Sequence, residues 1–383
     1  MIQSFILYGL FSFTLWRLGV ESWKRQKIYK TKGENLTFWT WDIVFAIIIF
    51  SVISGIRWNV GVDYLSYLEG YQNLVEGAEF NKYGTEFGFE YLSSILAKLN
   101  LHFVFFFAFW AFIQAFFFYY AIRKERYLMP YVGFIIIWGG YYLSWMNGMR
   151  QMIVACMFVF AVQFIKERKF IPYLILLMAA ATIHKSAVLL IVFYFFPRKD
   201  IYSYRYLNII LLGTSFYIGL NPNWLSATSI VEQILSIIGY EWYSQNLELL
   251  IEKKEILKVG PRRILIMALV LVNIWYAPRI KKYFSNTNYL IYFNFMFTGA
   301  LLYNLFSNAS HIFLRPVEYL NIFTILTTAY LLYYFKPQRN YIVSKRFLVV
   351  ISIVFLYLAI SIIAGSYGVK NDHTNFRFFW SYI

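Results

Sequence analysis

Arg150 and His184 are the two residues of this 383-residue chain best placed to do chemistry. Arg150 lies in Met-Asn-Gly-Met-Arg-Gln at 146–151 and His184 in Ile-His-Lys-Ser-Ala at 183–187. Between them the chain crosses an apolar run, turns at Lys166-Glu167-Arg168-Lys169 and returns through Pro172. As helix, Arg150 to Lys166 spans about 24 Å and Phe170 to His184 about 21 Å. A hydrocarbon core is about 30 Å thick. Both groups therefore end below the same membrane face, where an ionisable side chain is costly and usually functional.

A planar arginine fork suits a phosphate or diphosphate, which it binds through two parallel hydrogen bonds. A histidine at the same level suits general base work on a hydroxyl. Other single charges fall at outer span ends: Arg57, Asp63, Lys185, Arg315 and Glu318. Each has a plainer reading. Arg57 and Arg150 could snorkel to headgroups, His184 could be a packed histidine, and Arg315 and Glu318, three apart, could pair on one helix face. Their convergence favours a site. The sequence has no Gly-rich phosphate loop, no HExxH, no Gly-x-Ser-x-Gly, no Asp-x-Asp and no Cys/His cluster, so it implies no metal and no cofactor. The single cysteine, Cys156, excludes an internal disulfide and reads as a buried span residue.

The elements that must position these groups are membrane spans. The chain is 60% hydrophobic, 14% charged and 22% aromatic, more apolar surface than a soluble domain could hide. We expect an all-α polytopic membrane protein forming one integral domain over 1–383, with about 12 spans. They are 2–20, 39–56, 101–122, 129–145, 152–165, 171–183, 187–196, 207–220, 264–276, 289–306, 317–335 and 347–364. The sixth and seventh are short and could form a re-entrant hairpin. Alternate short connections hold three to five Lys/Arg, and the intervening ones hold one each: Arg150, Lys185 and Arg315. The positive-inside rule then puts both termini and the long loops 57–100 and 221–263 outside, and all four histidines outside or at the outer edge. The net charge of +16 sits between spans, which favours anionic lipid headgroups over nucleic acid as partner.

The first long loop carries Tyr64, Tyr67, Leu68 and Tyr71 at helical spacing. A second amphipathic stretch opens at Glu86 and Glu90. These could be interfacial helices, or an outward platform on which aromatic rings stack against sugars while carboxylates accept their hydroxyls.

The order Arg57-x-x-Val-Gly-x-Asp63-Tyr64-x-x-Tyr67, Glu86-x-Gly-x-Glu90, Asn147-Gly-Met-Arg150-Gln and His184-Lys-Ser-Ala187 resembles the EpsG family of Wzy-like polysaccharide polymerases. Arg315-x-x-Glu318-Tyr319 resembles the family's later stretch more loosely. Trp58-Asn59 departs from the first motif, where the glycine is expected closer to the arginine. The resemblance implies a metal-independent glycosyltransferase of the bacterial plasma membrane, working at its outer face on O-antigen, capsule or exopolysaccharide. It would join oligosaccharide repeat units carried on undecaprenyl diphosphate, alongside a flippase and a chain-length regulator. Read as an inverting transferase, Arg150 and Arg57 would hold the diphosphate and His184 or Asp63 would be the base. Lys185 and Arg315 would add positive potential. Tyr64, Tyr67, Glu86, Glu90, Asn147 and Glu318 would contact substrate. A flippase of the same lipid would need charges along mid-span regions, and an acyltransferase a cytoplasmic donor site; neither pattern is present.

Overall fold

The computed structural model describes residues 2–78, 86–220, 260–308, 311–336, 341–365 and 373–381. Most of the expected loop 221–263 lies outside them. Among the described residues the fold is helical, with a single isolated antiparallel bridge between Arg57 and Phe378. Four helices among the described residues are long and apolar enough to cross a membrane: Phe103–Ala121, Met149–Lys166, Pro261–Tyr283 and Lys345–Ala364. Trp41–Gly55, Arg126–Trp138, Phe170–Ile183 and Lys185–Phe195 are shorter apolar segments. The chain falls into two compact units. One comprises Met1–Phe160, Thr182–His184 and Thr328–Ile383, the other Ala161–Ala181 and Lys185–Thr327.

In the first unit, α1 (Ile2–Thr31) runs eleven residues past the expected span and carries the basic stretch as helix. It packs on α2 (Trp41–Gly55) and on α6 (Met129–Trp138), and α2 packs on α5 (Phe103–Ala121). At the Arg126 end of this bundle Asp42 and Arg126 are buried and paired, as charges inside a fold must be. Arg25 donates to Asp42 (2.9 Å), and Arg126, 1% exposed, donates to Ser22, Thr40 and the Thr37 carbonyl. The expected span 129–145 is broken at Gly139-Gly140. Gly140 has φ +79°, which a residue with a Cβ rarely adopts, and α7 (Tyr141–Asn147) starts from it.

The expected amphipathic stretches form α3 (Tyr64–Val75) and α4 (Phe87–Lys98). Their aromatic residues do not all face outward. Tyr64 stacks on Phe107 and Tyr71 on Phe106, each with centroids 4.5 Å apart, and both tyrosines are buried. Burying these flat faces on the Phe-rich α5 recovers more free energy than leaving them in water. The saccharide platform expected from Tyr64 is thereby withdrawn: its ring is a packing face.

The tail segment 373–381 returns as a strap. The Trp58 N–H donates to the Arg377 carbonyl (2.8 Å), the Gly61 N–H to His373 (2.9 Å) and the Phe379 N–H to Ile56 (3.0 Å). Ser4 donates to Asn375 (3.1 Å), and Tyr8 to the Thr374 carbonyl.

α8 (Met149–Lys166) leads from the first unit into the second, and α9 (Phe170–Ile183) follows the basic turn. The expected seventh segment is an eleven-residue 3-10 helix, Lys185–Phe195, whose Leu190 carbonyl accepts from the Tyr173 phenol. Runs of 3-10 this long are uncommon and mark a chain held by its surroundings. In the second unit α12 (Tyr289–Leu305) packs on α10 (Arg205–Gly219), α11 (Pro261–Tyr283) and α13 (His311–Asn321). The expected span 317–335 is two helices, α13 and α14 (Phe323–Tyr334). The chain's last long helix is α15 (Tyr341–Gly365).

Candidate functional site

Glu86 stands at the N-cap position of α4 but does not cap its own helix. Its carboxylate is committed elsewhere. Oε2 accepts from Nη1 of Arg150, in the first turn of α8, and Oε1 lies 2.8 Å from Nδ1 of His184, at the end of α9. The three side chains are 12, 26 and 11% exposed in that order, so the site is enclosed while Arg150 stays reachable. One carboxylate thus joins three chain segments of the first unit.

Arg150 is fixed on its other sides as well. Its guanidinium lies 5.5 Å from the Phe89 ring centroid and 5.9 Å from that of Tyr67. Such stacking on ring faces is favourable for arginine. It hydrogen-bonds the Tyr67 phenol, which burial pushes above its ordinary pKa and the Arg150 charge pulls the other way. A cation in the first turn opposes the helix dipole, and here the Glu86 carboxylate supplies the compensating anion.

Gly88 is what lets α4 come close enough. A Cβ there would overlap the Thr182 hydroxyl and stand 2.7 Å from the Thr182 Cβ. The Glu86-x-Gly88-x-Glu90 motif therefore holds a carboxylate, a contact glycine and a second acid. Glu90 itself is buried, 5% exposed, on the inward face of α4. Asn147 also positions rather than projects: its Oδ1 accepts the Asp63 N–H (3.0 Å), tying the start of α3 to the break before α8. Asp63 is half-buried beside it.

Arg57 requires a correction. It is 0% exposed and donates to the carbonyls of Ser54 and Val60, with its guanidinium 4.5 Å from the Phe107 ring centroid. Burial holds its pKa below the ordinary arginine value. In this position it pins the turn after α2, buried rather than at an exposed span end. Tyr64, whose phenol donates to the Arg57 carbonyl (3.1 Å), belongs to the same pin.

Lys185, Arg315 and Glu318 lie in the second unit. Lys185 opens the 3-10 helix, and Arg315 is exposed on α13. Glu318 accepts from Asn321 (3.4 Å). Among the described residues no three His, Cys, Asp or Glu side chains come together as a ligand set. Sequence reasoning overlooked Phe89 and Thr182. Phe89 reads as one more apolar residue of an amphipathic stretch, and Thr182 as an ordinary span residue.

The sequence model of the EpsG family matches residues 40–374, a range that holds every residue of this site. No curated protein and no solved structure matches the chain. Four long apolar helices and the match over most of its length put the chain in the membrane and among the Wzy-like, exopolysaccharide-polymerase type of protein: it belongs to the EpsG family.

Proposed function

We propose that the chain polymerises oligosaccharide repeat units carried on undecaprenyl diphosphate, at the outer face of the bacterial plasma membrane. The observation that carries this reading is the single carboxylate of Glu86 shared by Arg150 and His184. A carboxylate on Nδ1 of a histidine fixes the tautomer with the proton on Nδ1, and leaves Nε2 as a base. In the reaction the acceptor sugar hydroxyl attacks the anomeric carbon of the donor chain. The new C–O bond forms as the bond to the lipid diphosphate breaks, and the hydroxyl proton passes to Nε2 of His184. Negative charge builds on the departing diphosphate oxygen, where Arg150 stabilises it.

The Glu86 contact orients the guanidinium, which carries five N–H donors in a rigid fork. Tyr67 and Phe89 hold that fork in plane. Asp63, tied to Asn147, is the second candidate base. A chain-length regulator and a flippase are the expected partners. The test is a gene-disrupted strain. Single repeat units accumulating on the lipid outside the cell support polymerisation. Absence of outer lipid-linked units would indicate a flippase, and full-length chains lacking acyl groups an acyltransferase; either outcome overturns the reading.

A further inference from the structure

The helix α5 is apolar with one exception. Among its 19 residues Gln114 is the only side chain that carries an amide or a charge, and it is 0% exposed. A buried amide is costly unless it makes hydrogen bonds. Gln114 makes two, both from Nε2: one to the Trp145 carbonyl (3.3 Å) and one to the Met149 carbonyl (3.2 Å). Both acceptors are backbone oxygens, so only the N–H end of the amide can face them. Oε1 is left buried with no donor among the described residues. The position is used for the two N–H groups alone.

The two carbonyls lie on either side of the break that precedes the site. Gly148, between α7 and α8, has ψ +56° and leaves the helical range. Trp145 is in the last turn of α7, where a helix leaves carbonyls without an intrahelical partner. Met149 is the first residue of α8. Its carbonyl belongs to the same rigid peptide plane as the N–H of Arg150. Holding that oxygen holds the plane from which Arg150 starts. From there the guanidinium has to meet Glu86 and the rings of Tyr67 and Phe89 together. We infer that Gln114 is a positioning residue, which bridges the α7–α8 break and so sets Arg150 against Glu86. This rests on the proposed role of Arg150, and it extends the site to a helix that carries none of the motif residues.

The experiment is a double-mutant cycle on purified full-length protein in nanodiscs, with a lipid-linked repeat unit as substrate. Initial rates give kcat and KM, and thermal unfolding follows the fold. Gln114→Met keeps the length of the side chain and removes both N–H groups. It should lower kcat about tenfold or more and change KM by less than about threefold, because Arg150 acts on charge that develops in the transition state. In an Arg150→Lys background the same substitution should lower kcat by less than about threefold, since the group it positions is already lost. Gln114→His, which retains a ring N–H, should recover part of the loss, and it carries the same cycle where Gln114→Met does not fold. Additive losses in the two backgrounds overturn the positioning role. So does a Gln114 variant with a lower unfolding midpoint but unchanged kcat per folded molecule. Arg150→Lys protein that turns over at the rate of the unsubstituted chain sinks the proposed role of Arg150 instead, so the two failures are distinguishable.

Discussion

Gly88 lies against Thr182 so closely that a Cβ at Gly88 would stand 2.7 Å from that of Thr182. The contact sets how far α4 approaches the end of α9, and so whether Glu86 reaches His184. Gly88→Ala should push the helix back and part the two. We expect polymer formation to fall at least tenfold, with a stability loss of about 1–3 kcal/mol from overpacking. Gly70→Ala on α3, where an added Cβ meets nothing within 4 Å, is the control and should be neutral or slightly stabilising. Equal activity in both variants at matched expression would show that the contact does not matter to the site.

Arg150→Lys should leave the protein inserted and folded but largely inactive. Lysine keeps the charge and loses the planar fork stacked between Tyr67 and Phe89. A bidentate contact made mainly in the transition state is worth about 3 kcal/mol, roughly a hundredfold in rate. Normal long chains from cells carrying this variant would remove Arg150 from the site.

Arg57 should behave in the opposite way. Its substitution by Met or Lys strands the carbonyls and ring faces it now satisfies, so the loss is in stability. We expect more than about 2 kcal/mol, seen as lower yield and a lower midpoint of thermal unfolding. Diphosphate affinity of the protein that does fold should be near that of the unsubstituted chain. A stable Arg57→Lys protein with weakened diphosphate binding would return Arg57 to the site.

These contrasts show what could be read without a structure. The hairpin carrying Arg150 and His184 to one level was legible, because span length and a basic turn are one-dimensional signals. So was the presence of two helices in the first loop. The difference between Arg57 and Arg150 was not. Both are single arginines at span ends, and only packing reveals that Phe107 and two carbonyls enclose one of them. Glu86 was legible as an acid near the site but not as the group holding it together. That role depends on Gly88 and Thr182, 94 positions apart, meeting in space. The breaks at Gly139-Gly140 and at Ile322 were missed because apolarity continues across them, and hydropathy does not register the end of a helix.

The Lys/Arg distribution predicts the sidedness of the chain, which can be checked directly. In a Cys156→Ser background, a cysteine at Glu69 should react with a membrane-impermeant reagent in intact cells and one at Glu167 should not. The reverse pattern would invert the topology and put the site at the cytoplasmic face.

The strap formed by residues 373–381 has a consequence for the timing of biosynthesis. Ser4 bonds Asn375 across 371 positions, and the turn around Arg57 takes part of its backbone pairing from the same segment. A ribosome makes those strap residues long after the turn they complete. The turn that pins the start of α3 is therefore incomplete until the strap has been made and moved into place. Nascent chains thus stay unfinished at the first loop while the spans between the turn and the strap are made.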